Sequence, residues 1–199
     1  MRVAFTLIAD KRWTGGSHYL RNLLGVLHGA SENVVHPILF VGLDVLKQEV
    51  DSLRPYLTEV VQDKCFTRWN PAWVIRQTLR RVRDRDKIAE KLFHHHRIDV
   101  VFHSGLFGTR FTLPCVNWIA DFQHLHMPEM FSWREQKLRN RYFRALSRMS
   151  KRLIFSSESA RKDFESFMPD YQERVDVMRF VVRLPEDVYD GRPLDKLRQ

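Results

Sequence analysis

Cysteine is scarce in this sequence: Cys65 and Cys115 are its only two, far apart and in no paired motif. That excludes a disulfide-stapled scaffold, argues against a thiolate metal site and fits a reducing compartment. Long apolar runs are also missing. Val34 to Leu46 is interrupted by His36, Pro37 and Asp44, well short of the roughly 20 residues a membrane-spanning helix requires. Val3 to Ala9 is cut off by Asp10, Lys11 and Arg12 too early to serve as a secretory signal. The expectation is a soluble, cytoplasmic protein. Internal repeats and low-complexity segments are absent, as are the three-glycine dinucleotide fingerprint, the P-loop, the Gly-x-Ser-x-Gly elbow and the His-Glu-x-x-His pattern.

Acid is in short supply against base. Lys plus Arg number 33 and Asp plus Glu 24, a net charge of +9 and a pI near 9.9. Such a balance favours polyanionic partners: nucleic acid, an anionic membrane surface or phosphorylated metabolites. What is plentiful is core material, since 44% of the 199 residues are hydrophobic, with 14 Phe and 5 Trp. Disorder and collagen-like structure are excluded, and the length supports one sizeable domain.

The patterning alternates strands with helices. Val3 to Ala9 reads as a buried strand and Ser17 to Gly29 as a helix with Tyr19, Leu20, Leu23, Leu24 and Leu27 at helical spacing. Val34 to Val41 is a second strand and Leu43 to Leu53 a weaker helix. Asn70 and Pro71 form a helix start, and the spacing predicts a helix to about His96, with Ile75, Leu79, Val82, Ala89, Leu92 and Phe93 on one stripe that Asp86 interrupts. Strands are expected at Ile98 to His103, Pro114 to Ala120, Arg152 to Phe155 and Val175 to Val182, and helices at Trp133 to Met149 and Ser157 to Phe167. The pattern predicts an α/β fold: a Rossmann-like, doubly wound, mostly parallel sheet with helices on both faces. Residues 1–183 form this domain; 184–199, carrying Pro185, Gly191 and Pro193, read as a linker.

In open α/β sheets ligands bind at the carboxyl ends of the strands, so the loops there carry most weight. Asp10 to Ser17 holds Trp13, Gly15 and Gly16 before a helix. The glycines either let an anion approach the helix amides or merely make a tight turn. Asp121 to Glu129 gathers Asp121, Gln123, His124, His126 and Glu129 within nine residues. Such a set either binds hydroxyls and exchanges protons near neutral pH or is an ordinary polar loop. His124 and His126 have spacing compatible with a metal, but no third ligand is identifiable. His94, His95 and His96 point in different directions on a helix and there complement its dipole. Arg134, Lys137, Arg141, Arg144 and Arg148 recur at spacings of three and four, forming one basic helix face beside Leu138, Tyr142, Leu146 and Met149. That face is either solvated or offered to an anionic surface such as a membrane.

Three segments together resemble a known family. The Gly-Gly turn with Tyr19, Asn22 and Leu23, the stretch Trp118-Ile-Ala-Asp-Phe-Gln-His-Leu-His-Met-Pro-Glu129, and Ser156-Ser-Glu-Ser-Ala-Arg-Lys-Asp163 are similar to the N-terminal domain of GT-B-fold glycosyltransferases of the family 4 (group 1) type. The resemblance runs from Met1 to about Val182, and the middle segment is its most specific part. It implies the acceptor-side half of a hexosyltransferase-like enzyme that transfers a sugar from a nucleotide-sugar donor to a hydroxyl of a glycan or lipid-linked acceptor. It further implies that Gly15 and Gly16 border the donor diphosphate, that Asp121 and His124 orient the attacking hydroxyl, and that Trp13, Gln123, His126 and Glu129 line the acceptor. Neither a metal nor a cofactor is implied, and in a retaining reaction the leaving phosphate itself takes the proton. Many relatives carry His-Asp where this chain has Ala120-Asp121, so His124 or His126 stands in for that histidine or the role is absent. The donor-binding half of a GT-B enzyme is a C-terminal domain, expected in the same or another chain, without which transfer is expected to fail. The alternative is a non-enzymatic Rossmann-like module that binds nucleic acid or anionic lipid through its basic face. No nucleic-acid motif is present, and the aromatics follow core periodicity, which argues against nucleic acid.

Overall fold

The computed structural model describes residues 1–7, 14–30, 34–102 and 105–179. Seven strands, β1 (Arg2–Thr6), β2 (His36–Val41), β3 (Glu59–Gln62), β4 (Val100–Phe102), β5 (Cys115–Ile119), β6 (Arg152–Phe155) and β7 (Val175–Val177), form one sheet. Their order is β3-β2-β1-β4-β5-β6-β7, and every pairing is parallel. This is the expected Rossmann-like architecture, with the strand order reversing between β1 and β4. The half-buried edge strand β3, Glu-Val-Val-Gln, is additional to the expected strands: at four residues with polar ends it carries too short a pattern to stand out. The end of the expected last strand, 180–182, and the whole expected linker, 184–199, lie outside the described residues.

Among the described residues seven helices connect the strands: α1 (Thr14–Gly29), α2 (Lys47–Leu53), α3 (Pro71–Arg83), α4 (Lys87–His95), α5 (Gln123–His126), α6 (Trp133–Met149) and α7 (Glu158–Phe167). Alternating strand residues divide between the two faces. Val3, Phe5, Leu39 and Val41 pack on Leu20 and Leu24 of α1 and Val50 and Leu53 of α2. Ala4, Ile38, Phe40 and Val101 meet Ala89 and Phe93 of α4. Toward the other edge, Ile119, Leu153 and Phe155 bury Phe143 and Leu146 of α6 and Phe164 of α7.

Local chemistry sets the helix ends. Asn70 caps α3 by accepting from the Ala72 amide at 3.0 Å with Pro71 in the first turn, and Ser157 caps α7 through the Ala160 amide at 3.1 Å. Ser132 and Glu135 form a reciprocal capping box on α6. The single helix expected from Asn70 to His96 is two. Asp84 turns left-handed (φ 49°) while its carboxylate accepts from the Thr109 amide and hydroxyl, and Asp86 caps α4 through the Ala89 amide at 3.0 Å. The expected apolar stripe does not all pack: Ile75 and Val82 are 55% and 79% exposed, because the buried side of α3 is taken by Arg76. Leu138 of α6, also expected to pack, is 65% exposed. Among the described residues no helix is long and apolar enough to cross a membrane.

Candidate functional site

Because all strands run the same way, the loops after β1, β2, β4, β5 and β6 open on one edge of the sheet. Gly15 and Gly16 lie within the first turn of α1, whose expected start was Ser17, so they belong to the helix and not to the loop before it. There the amides of the first turn lack intrahelical acceptors, the property that suits an anion. Trp13 lies outside the described residues.

The segment after β5 separates into an exposed set and a buried one. Asp121, Gln123, His126 and Glu129 are exposed, Asp121 just before α5, Gln123 and His126 on it, and Glu129 on the short 3-10 turn Pro128–Met130. One carboxylate oxygen of Asp121 accepts from the Gln123 amide at 3.0 Å, which fixes the side chain and leaves the other oxygen to an incoming donor. His124 is 1% exposed, packed against Phe143 with ring centroids 5.6 Å apart, and its Nε2 lies 2.8 Å from Asn140 Oδ1 of α6. Its Nδ1 has no partner among the described residues. In this arrangement the imidazole anchors the loop to α6 and faces no solvent. His126 donates from Nε2 to Asp163 of α7 at 2.8 Å. No group of three His, Cys, Asp or Glu side chains converges among the described residues.

The three segments singled out in the sequence meet in space. The Tyr19 ring of α1 stacks on the Trp118 indole of β5, centroids 3.9 Å apart and planes within 3°, and Trp118 Nε1 donates to Ser156 Oγ at 2.9 Å. His126 to Asp163 is a second tie between the middle and last segments. Burial pushes the Tyr19 hydroxyl well above its ordinary pKa, so it stays protonated.

A cavity of about 350 Å³, missed by sequence reasoning, opens at the same edge beside the strand-order reversal. Thr6 and Leu7 at the end of β1, Asp44 and Val45 after β2, Trp73, Gln77 and Arg80 of α3 and Tyr142 of α6 are among its walls. Gly42 permits the tight return after β2, since a Cβ there would stand 2.7 Å from both the Phe66 carbonyl oxygen and the Thr67 Cα. Arg76 forms one wall but is spent on the scaffold. Its Nε donates to Asp86 at 2.7 Å, Nη1 donates to the Cys65 carbonyl at 3.1 Å, and its guanidinium lies 4.3 Å over the Phe66 ring. Arg80 is different: it donates to Gln77 Oε1 at 3.2 Å and has no ion-pair partner among the described residues. Burial lowers its pKa and burial raises that of Tyr142, both signs of a poorly hydrated wall. The sequence clue was available, as Arg76 and Arg80 are one helical turn apart on a helix opening after a strand, but the apolar stripe drew the reading to the opposite face.

The predicted basic face of α6 is realised. Lys137, Arg141, Arg144 and Arg148 line a shallow groove with Trp133, and Arg134 is exposed nearby on the same helix. Lys137 sits 4.8 Å over the Trp133 ring and Arg144 5.0 Å over Phe167. None of the five has a carboxylate partner among the described residues.

Fold and topology together define a doubly wound Rossmann-like domain with a cavity lined by polar and cationic side chains beside the carboxyl ends of β1 and β2. No protein-family model matches the chain, and no curated protein shows significant similarity to it.

Proposed function

We propose that this domain is the acceptor side of a GT-B-type glycosyltransferase, working with a C-terminal donor-binding domain in the same or another chain. The observation that carries the reading is the convergence at one sheet edge of the three family-like segments, through Tyr19 on Trp118, Trp118 on Ser156 and His126 on Asp163. Asp121, exposed and held by the Gln123 amide, accepts a hydrogen bond from the acceptor hydroxyl and aims its oxygen at the sugar carbon of the donor. Gln123, His126 and Glu129 line the acceptor, and His124 positions the loop from within the core. Gly15 and Gly16 in the first turn of α1 face the donor diphosphate, where helix amides stabilise the charge that develops as the nucleoside diphosphate departs. The proton of the attacking hydroxyl passes to that leaving phosphate in a retaining reaction, so no metal and no cofactor is needed.

The test is nucleoside diphosphate release from UDP- and GDP-hexoses in the presence of glycan and lipid-linked acceptors. The chain alone is expected to give no turnover, and supplying a matching donor-binding domain to give transfer. In that complex Asp121→Asn is expected to lower kcat about a hundredfold with KM for the acceptor little changed. Robust turnover by residues 1–199 alone would refute the division of labour, and full activity in D121N would refute the role of Asp121.

A second reading rests on the unpaired cations of α6 beside Trp133 and Leu138, 69% and 65% exposed. Cations flanking exposed apolar side chains are the chemistry of a peripheral contact with an anionic membrane, which suits a lipid-linked acceptor and also a non-enzymatic lipid-binding module.

A further inference from the structure

We infer that the cavity between β1, β2 and α3 is a binding site for a phosphorylated sugar, its phosphoryl group held by Arg80 and Thr6 and its ring set against Trp73. Identifying that ligand with the acceptor of transfer rests on the glycosyltransferase reading; the binding itself does not.

The first support is a hydroxyl without a hydrogen-bond partner and a cation without an ion-pair partner in the same cavity. Thr6 is 9% exposed and lines the cavity, yet its Oγ1 has no hydrogen-bond partner among the described residues. A buried hydroxyl without a partner costs free energy that a ligand oxygen would recover. Across the same space stands Arg80, whose guanidinium is bound only to a neutral amide. Arg76 is neutralised by Asp86, and Asp44 lies toward Arg68, accepting from its backbone amide at 3.1 Å. Arg80 is therefore, with Arg68, a cation of the cavity wall without an ion-pair partner among the described residues, and phosphate, with its several acceptor oxygens, is the group a guanidinium holds best.

The second support concerns what the phosphate is attached to. Trp73 is part of the wall, and Trp69 packs against it with ring centroids 5.6 Å apart and planes at 55°. Trp69 is 76% exposed and held at φ 63°, a backbone conformation rare for a bulky residue. The two indoles thus carry an aromatic surface from the cavity out to solvent. A sugar ring can lay its C–H bonds on the electron-rich face of such an indole. Gln77 and Asp44 add a side-chain amide and a carboxylate of the kind that pairs with sugar hydroxyls. The volume of about 350 Å³ lies at the small end of ligand pockets and accommodates one hexose phosphate.

The experiment is calorimetric titration of the full 199-residue chain with glucose 6-phosphate, inorganic phosphate, glucose and UMP, alongside tryptophan fluorescence. Glucose 6-phosphate is expected to bind at least about tenfold more tightly than either phosphate or glucose, and more tightly than UMP, with a change in indole emission. Arg80→Gln is expected to weaken it about thirtyfold and Thr6→Val about fivefold, the latter with a thermal transition at or above the wild type's because it removes a buried hydroxyl without a partner. Trp73→Leu is expected to reduce glucose 6-phosphate to the affinity of phosphate alone. Thr6→Val is close in shape, so it tests the site even where the Arg80 variant is poorly folded. Equal affinity for phosphate and glucose 6-phosphate, tighter binding of UMP, or wild-type affinity in both R80Q and T6V overturns the inference. Binding as expected without transfer by any complex would sink the glycosyltransferase reading and leave the cavity standing; transfer without such binding would do the reverse.

Discussion

Glu90 shows how one buried charge is held and what it contributes. Its Oε1 accepts from the Thr112 amide at 2.7 Å and the Thr112 hydroxyl at 2.5 Å, and its Oε2 from Arg85 Nε at 2.8 Å. Burial alone would push its pKa up, but the hydrogen bonds from Thr112 and Arg85 outweigh it and hold the carboxyl below the ordinary range. A carboxyl that is a stronger acid folded than unfolded stabilises fully above its unfolded pKa, and that stability is lost as pH falls through the folded value. Glu90→Gln is therefore expected to cost about 1–3 kcal/mol at neutral pH. Urea unfolding of both proteins should show the difference shrinking on acidification below the ordinary carboxylate range; a difference independent of pH would show that the charge contributes nothing. The cysteines make the converse point: burial pushes the Cys65 and Cys115 thiols up to about 12, so neither is a thiolate at neutral pH.

At the scale of elements, the side-chain caps of α3 and α7 were easier to read than helix faces. Asn70 with Pro71, and Ser157, act locally, through amides two or three residues away, and a sequence displays that directly. Which side of α3 is buried depends on a partner outside the helix: the Arg76 to Asp86 ion pair turns Ile75 and Val82 outward, and spacing alone cannot display it. For α6 the cations recur so regularly that their face was legible, whereas the exposure of Leu138 was not. The lipid reading of that face makes a quantitative expectation. At about 1 kcal/mol per cation near an anionic bilayer, Arg141→Ala with Arg148→Ala should weaken binding to phosphatidylserine-containing vesicles about thirtyfold. The wild-type affinity should also fall between about 0.01 M and 0.15 M salt, as the screening length contracts from about 30 Å to about 8 Å. Flotation assays with and without anionic lipid measure both. Equal flotation of the double variant, or equal binding to neutral vesicles, removes the membrane contact.

Across the whole molecule, alternation of buried runs and capped helices was enough for the architecture, because a parallel sheet needs a crossover after each strand and right-handed crossovers leave few orders. The candidate site was legible only where its residues are contiguous, as in Asp121 to Glu129. Burial then divided that stretch, placing His124 inside and Asp121 outside. The cavity was not legible, since its walls come from β1, the turn after β2, α3 and α6, and only folding brings Thr6 and Arg80 to one cavity. Tyr19, Trp118 and Ser156 are the intermediate case, visible as separate motifs but not as one contact. That contact joins α1 to the two strands beyond β4, across the point where the strand order reverses, so it ties together the halves of the sheet that the site straddles. A stacked aromatic pair adds about 0.5–1.5 kcal/mol beyond the area it buries. A double-mutant cycle with Tyr19→Leu and Trp118→Leu, read by urea unfolding, should therefore return a coupling of about 1 kcal/mol between residues nearly a hundred positions apart. Strict additivity of the two substitutions would mean that the stacked pair does not couple the halves of the sheet and does not fix α1 over the site.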